Sequence, residues 1–350
     1  MREAIQKVAV GPDRGRDMSR DEAYSVMKSI LEGKADEIQV AVLLIALRMK
    51  RESMGEFLGL FDAMLESVDT TSIDVSELFI LADPFDGYVR TATMTPFIPA
   101  VLSLFDCPSL IHGVKTVGPK HGVTAHKIYQ LAGIDVDMTV KDAKLSVEKF
   151  GWAYVDQSNY AQSLNALNDL RDRIVKRTAL TTLERLLMPL SGNKTHLVLG
   201  YVHKAYPSIY ASIAAAAGYD STLLLKGVEG GLAPALNKPL RQFFIEGDLP
   251  DDVDQEKQLI ESAELFSSKS VALPLNLSDG FVSEKAVQEC FDVGMSVLNG
   301  QVNDARQSLC LAVGQILYAH KKASSLSGAI KEVASCLDDG SALARFSLLI

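Results

Sequence analysis

The feature that most constrains the fold of this chain is a change in the hydrophobic pattern near residue 78. Beyond that point short apolar runs alternate with amphipathic helical patterns, which is typical of a mostly parallel sheet covered by helices on both faces. Five runs are predicted strands, at residues 78–81, 109–113, 196–202, 222–227 and 242–247. Predicted helices lie between them, near 95–105, 124–132 and 206–217.

The residues before this change predict a cluster of helices. Ser19 with Glu22, and Ser53 with Glu56, have the spacing of capping boxes, and Asp36 can cap a helix between them. The run 38–49 is apolar nearly all round, so we expect it to be buried among other helices. A second helical stretch, 160–188, contains no predicted strand and could join this cluster.

The C-terminal part closes with predicted helices near 284–298, 304–320 and 326–337, the last capped by Ser327 or its neighbour. A chain of 350 residues is long enough for two packed domains. We expect a small helical domain formed by 1–77 with 158–190, beside a larger α/β domain formed by 78–157 with 191–350. The predicted fold class is therefore α plus α/β.

Composition narrows the class of protein. No N-terminal signal pattern and no uninterrupted apolar stretch of about 20 residues occurs, so we expect a cytoplasmic protein without a membrane partner. The four cysteines form no CxxC pair and are expected to be buried thiols. The net charge of −9 argues against a global electrostatic grip on nucleic acid and leaves room only for a local basic patch. His121 and His126 lack zinc spacing, and the sequence predicts no metal site.

Three segments, residues 19–53, 197–227 and 302–346, resemble the anthranilate phosphoribosyltransferases and their nucleoside-phosphorylase relatives, glycosyltransferase family three. The resemblance implies that the helical part forms a homodimer. It also implies that phosphoribosyl pyrophosphate lies in the cleft between the domains, held by Mg²⁺ on an acidic pair and by glycine-rich backbone. A cofactor, Mg²⁺, is expected only if transferase activity is retained.

The sequence departs from this family at each of these features. The family's Gly-Thr-Gly-Gly-Asp loop corresponds to residues 83–88, where the resemblance leaves Asp86 and Gly87 as candidate ligand residues. The acidic pair falls at Ala233 and Pro234, which cannot hold Mg²⁺, and Glu229 is a displaced substitute. The remaining candidate phosphate ligands follow the next two strands, and they are Arg90, Thr91, Thr93, His112, Gly113 and Lys120.

A basic segment offers a different activity. Residues 165–194 hold six Lys or Arg against three Asp or Glu, and the candidate nucleic-acid or acceptor contacts are Arg171, Arg173, Lys176, Arg177 and Arg185. If the segment is one helix, Arg173, Arg177 and Arg185 line one face and could follow a row of phosphates. The chain resembles a bacterial side branch of the family with this arginine pattern, regarded as nucleic-acid binding. A solvated face whose arginines pair with acids, or an arginine for an aromatic acceptor, are the other interpretations.

These observations favour a homodimer with a degenerate pyrophosphate and Mg²⁺ site, which binds a phosphorylated ligand or single- or double-stranded nucleic acid through the basic helix. The alternative is a working phosphoribosyltransferase of tryptophan biosynthesis that uses anthranilate, or one for another aromatic acceptor. No catalytic residue can be assigned from the sequence.

Overall fold

The N-terminal helices begin where the capping signals predict. The computed structural model describes residues 1–11, 14–260, 275 and 284–350. The helices are α1 (Arg2–Val8), α2 (Arg20–Leu31), α3 (Glu37–Lys50) and α4 (Met54–Glu66), and both capping boxes and the Asp36 cap are formed. The expectation that α3 is buried on all sides is wrong for a single copy of the chain. Val40 and Leu43 are buried, but Ile38 is 74% and Met49 73% exposed.

The central sheet contains seven strands in the described residues, in the order β4-β3-β2-β6-β7-β8-β9. Their bounds are β2 (Glu77–Ala82), β3 (Ser109–Gly113), β4 (Trp152–Asp156), β6 (Lys194–Tyr201), β7 (Ser221–Lys226), β8 (Leu240–Glu246) and β9 (Lys257–Ile260). The pairs from β4 through β7 are parallel, and β8 and β9 pair antiparallel. All five predicted strands are present. The sequence missed β4 and the short β9.

Helices cover both faces of this sheet, as the alternation predicts. They are α5 (Ile98–Leu102), α6 (Ala125–Ala132), α7 (Val140–Phe150), α11 (Tyr206–Ala216), α12 (Glu284–Leu298), α13 (Asp304–Ala319), α14 (Leu326–Asp338) and α15 (Ser341–Ser347). One apolar core joins the N-terminal helices to one face, and a second lies under α5, α6 and the C-terminal helices. The side chain that caps α14 is Ser325 rather than Ser327. In the described part of the chain, no helix is long and apolar enough to cross a membrane.

The expected single helical stretch between residues 160 and 188 is broken. It consists of α8 (Gln162–Asn165), α9 (Asn168–Ile174) and α10 (Ala179–Leu183), and the short strand β5 (Leu190–Ser191) follows and pairs with β1 (Thr71–Ser72). Val175 ends α9 with a positive φ of 60°. Helices α9 and α10 contact α3, and α10 also contacts α4. The division into the two predicted domains remains a prediction.

The carboxyl edge of the parallel strands is where ligands bind in open α/β sheets. The loops after β2 and β3 meet there through paired backbone bonds between Tyr88 and Val123. Arg185 connects three segments at this edge, because its guanidinium donates to the carbonyl oxygens of Ala82, Gly200 and Gly230 at 2.6–3.2 Å. These loops carry most of the predicted phosphate ligands.

A cleft closed by internal ion pairs

The turn after β2 packs against protein instead of opening toward a ligand. The Gly87 N–H donates to the Pro84 carbonyl at 3.0 Å, and Gly87 has a φ of 71°. A Cβ at Gly87 would lie 2.6 Å from the Val123 carbonyl oxygen. Phe85 is 2% exposed and contacts the His112 ring edge-on. The surviving glycine therefore permits close packing of two loops.

Asp83 is a buried carboxyl group held by a neighbouring phenol. The Tyr88 hydroxyl donates to Asp83 Oδ1 at 2.6 Å, and Thr95 Oγ1 lies 3.2 Å from the same hydroxyl. Burial raises the pKa of Asp83 to about 6, against the opposing effect of the hydrogen bond from Tyr88. Asp83 thus has a fixed partner within the protein and is not directed at an open cation site.

Asp86 forms the first internal ion pair of the cleft. Its carboxylate is 2% exposed. Arg177 donates to Asp86 Oδ2 from Nε at 2.8 Å and from Nη2 at 2.6 Å, and the Lys120 ammonium lies 3.5 Å from Oδ1. Both oxygens of this predicted ligand residue are therefore neutralised by side chains of the protein.

Glu229 forms the second. It lies in the loop after β7 with a φ of 53°, which is unfavourable for a residue other than glycine. Its carboxylate accepts hydrogen bonds from the backbone N–H groups of Val89 and Arg90 at 3.2 and 2.8 Å, and from the Thr91 hydroxyl at 3.3 Å. Lys120 Nζ lies 3.3 Å from Glu229 Oε2, so Lys120 bridges Glu229 and Asp86.

These residues do not fit the Mg²⁺ that the family implies. Asp86 and Glu229 do converge, but on the ammonium group of Lys120. Ala233 and Pro234 provide no side-chain oxygen. Within residues 1–11, 14–260, 275 and 284–350, no group of three or more His, Cys, Asp or Glu side chains could hold a metal ion. We therefore derive no step that uses Mg²⁺.

Other predicted phosphate ligands lie in the interior. His112 is fully buried, its Nδ1 lies 2.7 Å from the Tyr160 hydroxyl, and burial lowers the pKa of His112 to about 3, which keeps it neutral. Thr93 is 3% exposed, and its hydroxyl accepts the Thr95 N–H at 3.1 Å. Gly113 ends β3 inside the sheet. His112, Gly113 and Thr93 are all buried, and that they face a ligand remains a prediction.

The free space in the cleft is correspondingly small. A cavity of about 20 Å³ lies between the loops after β2 and β7, lined by residues that include Tyr88, Thr91, Val228 and Pro234. This volume holds about one water molecule. A sugar diphosphate would require these loops to move apart.

The predicted basic helix face does not exist. Because α9 ends at Ile174 and Arg185 lies in a separate short turn, these arginines do not share one helix. Arg171 and Arg185 are 3% and 5% exposed, and Arg171 forms a two-bond pair with Glu184 at 2.6 and 2.7 Å. Neither side chain is exposed enough to contact the phosphates of a nucleic-acid strand. Arg173 is exposed but paired with Glu37 and Asp169.

A different set of cations surrounds the carboxyl edge. Arg90, Lys115 and Lys176 are exposed and form no ion pair within the part of the chain that the structure describes. With Lys120, Lys127 and Arg177 they make six cations, and the carboxyl groups near them are Asp83, Asp86, Asp156, Asp172, Glu229 and Asp304. Lys115 follows β3 and Lys127 lies in α6, and the sequence analysis did not predict either of them as a site residue. We call the six cations the basic rim.

A further pair that the sequence did not predict lies at the same edge. His126 Nδ1 is 2.9 Å from Asp156 Oδ2, and both side chains are more than nine-tenths buried. The Ser158 N–H and hydroxyl fix the other carboxylate oxygen at 2.9 and 2.7 Å. Hydrogen bonds from His126 and Ser158 lower the pKa of Asp156, against the opposing effect of burial. Asp156 could not be placed because β4 was missed.

The fold defines a class: a helical bundle joined to an α/β domain whose sheet carries a cluster of ion pairs at its carboxyl edge. The family models agree. The glycosyl transferase family helical-bundle model matches residues 2–68, and the glycosyl transferase family a/b-domain model matches residues 89–343. The chain belongs to this glycosyl transferase family and is anthranilate phosphoribosyltransferase-like.

Individual relatives are distant but cover nearly the whole chain. An uncharacterized protein of Aquifex aeolicus is 26% identical over 322 residues, 92% of this chain and 94% of that one. An anthranilate phosphoribosyltransferase of Delftia acidovorans is 23% identical over 338 residues, 96% and 93% of the two chains. The Saccharomyces cerevisiae anthranilate phosphoribosyltransferase in complex with PRPP and Mg has a TM-score of 0.77 at 16% identity, covering 99% and 96%.

Proposed function

We propose that this protein binds a phosphorylated ligand, nucleic acid in the first instance, through the basic rim and does not make phosphoribosyl-anthranilate efficiently. The observation that carries the proposal is that a lysine side chain stands in place of a divalent ion at the carboxyl edge of the sheet. Lys120 bridges Asp86 and Glu229 where a transferase needs a divalent ion. Three exposed cations, Arg90, Lys115 and Lys176, lie at the same edge in a chain whose net charge is −9.

The exposed members of the basic rim suit a phosphate backbone better than a small molecule. Arg90, Lys115 and Lys176 come from three separate loops, so their charges are spread along the edge. Contacts of this kind give affinity with little sequence preference, and each one adds to the salt dependence of binding. The proposal keeps Lys176 and Arg177 from the predicted basic segment and removes Arg171 and Arg185.

Fluorescence polarisation with single-stranded DNA at several salt concentrations tests this proposal. The double variant Lys115→Ala/Lys176→Ala is expected to bind more weakly and to reduce the slope of log K against log salt by about 1.4, roughly 0.7 for each lost contact with a single strand. The matched control Lys194→Ala/Lys331→Ala removes two exposed lysines away from the rim. Equal effects of the two double variants, or no binding by the parent protein at low salt, would refute the proposal.

A homodimer is part of the same proposal. Along α3, Ile38, Val42 and Met49 are 74%, 44% and 73% exposed, and their spacing of four and seven residues places them on one helix face. Such a face is typical of an interface between copies of a helical domain. Analytical ultracentrifugation is expected to show a dimer in the parent protein and a shift toward monomer in Ile38→Glu/Met49→Glu.

The alternative is an active phosphoribosyltransferase in a cytoplasmic pathway. Family membership and the full-length likeness to a structure with PRPP and Mg favour it. This alternative predicts Mg²⁺-dependent pyrophosphate release with phosphoribosyl pyrophosphate and anthranilate, or with another aromatic acceptor. Turnover by the intact protein that disappears with a chelator would support the alternative over our proposal.

A further inference from the structure

Four hydrogen-bond or ion-pair donors from the protein hold the Glu229 carboxylate. Two backbone N–H groups, the Thr91 hydroxyl and the Lys120 ammonium lie within 3.3 Å of its oxygens. The donors come from the loops after β2 and β3, whereas Glu229 comes from the loop after β7. Backbone N–H groups grouped around one point together with a cation form an anion-binding site. From this geometry, we infer that Glu229 occupies a phosphate site as an internal anion.

The backbone at Glu229 supports this assignment. A φ of 53° costs a residue with a side chain free energy relative to ordinary conformations. The four donors offset this cost, since hydrogen bonds to charged groups are stronger than neutral ones. The carboxylate is therefore held in the site against the local preference of its own backbone. An external phosphate that makes the same bonds would have to displace it.

The site differs from a metal-assisted one. Its cation is the Lys120 ammonium, which is already held between Asp86 and Glu229. With Glu229 displaced, Lys120 and the Val89 and Arg90 N–H groups can receive one phosphate group without any divalent ion. The ligand class is consequently a phosphate monoester, phosphodiester or free phosphate, and binding should be independent of Mg²⁺.

This inference deepens the proposed function, because it places a self-occupied phosphate site inside the basic rim. Its test uses inorganic phosphate, monitored by isothermal titration calorimetry in the presence of a chelator. Glu229→Ala is expected to bind phosphate at least about tenfold more tightly than the parent protein. Glu229→Gln, which keeps the size of the side chain, should also gain affinity. Adding Mg²⁺ should strengthen neither.

Three controls make the outcome decisive. Glu332→Ala removes an exposed carboxylate on α14 and should behave as the parent. Lys120→Met added to Glu229→Ala should abolish the gain. Circular dichroism checks that each variant is folded, and if Glu229→Ala is not, Glu229→Gln carries the test. Parent and folded Glu229 variants that bind phosphate equally, or a gain that requires Mg²⁺, would overturn the inference.

The two proposals can fail separately. DNA binding by the parent protein without any gain in phosphate affinity on losing Glu229 refutes only the internal anion. A gain in phosphate affinity without DNA binding by the parent refutes only the nucleic-acid proposal.

Discussion

Removing the Arg171 guanidinium should destabilise the protein strongly. The side chain is 3% exposed, and its two terminal nitrogens donate to both oxygens of Glu184 at 2.6 and 2.7 Å. Glu184 is fully buried, and its remaining side-chain donor is Gln157 Nε2 at 3.3 Å. Arg171→Ala leaves that carboxylate charged in the interior with one neutral donor. Breaking a buried pair in this way costs about 3–5 kcal/mol, a large part of the usual 5–15 kcal/mol of stability.

Equilibrium urea unfolding measures this loss. Arg173→Ala is the matched control, because Arg173 is 54% exposed and ion pairs at the surface contribute little to stability. The double variant Arg171→Met/Glu184→Leu removes both charges and should recover most of the loss. A folded Arg171→Ala protein that loses less than about 1 kcal/mol yet binds DNA more weakly would refute the structural role and restore Arg171 as a nucleic-acid contact.

Three further results are expected. Burial lowers the pKa of His320 to about 4, so between pH 6.5 and 4 the unfolded chain binds the extra proton; stability is full above pH 6.5 and falls by about 3 kcal/mol on acidification to pH 4, and His320→Gln should remove that part of the pH dependence of urea unfolding. An unchanged pH slope would contradict this. Gly231→Ala would place a Cβ 1.6 Å from the Tyr88 hydroxyl oxygen, and we expect a loss of roughly 1–3 kcal/mol by thermal unfolding, which a parent-like Tm would exclude. Ser325→Ala should cost about 1 kcal/mol through the lost cap of α14, whereas Ser327→Ala should cost little, and the reverse order would contradict the observed cap.

The sequence correctly predicted the helices and strands whose positions depend on neighbouring residues. Capping boxes set the starts of α2 and α4, and apolar runs gave β2, β3, β6, β7 and β8. Strand β4 was missed, although two signals indicate it. Gly151 ends the preceding helix in a left-handed conformation, and an apolar run follows. The break after α9 depends on a left-handed Val175, a conformation that β-branched residues rarely adopt and that its sequence does not indicate.

Charges were harder to place than strands. Arg171, Arg177 and Arg185 look alike in the sequence, but one is buried against Glu184, one pairs with a carboxylate 91 residues away, and one is buried against carbonyl oxygens. Partners so distant in sequence are fixed only by the fold. The resemblance to the family identified the altered phosphate loop, but it could not show that Lys120 joins Asp86 to Glu229.

The charge of Lys120 also limits which phosphates suit the cleft. A bound Mg²⁺ adds two positive charges to a site, whereas this ammonium adds one, and Asp86 and Glu229 already balance the charges of Lys120 and Arg177. Releasing Glu229 leaves a single unit of positive charge on the three remaining groups, Lys120, Arg177 and Asp86. One unit suits a single phosphate group, such as a phosphodiester with its one negative charge, better than a diphosphate. A diphosphate would retain uncompensated charge in a poorly hydrated site, at a cost that grows with burial. The same arithmetic therefore disfavours phosphoribosyl pyrophosphate and favours a nucleic-acid backbone that presents its charges one at a time along the basic rim.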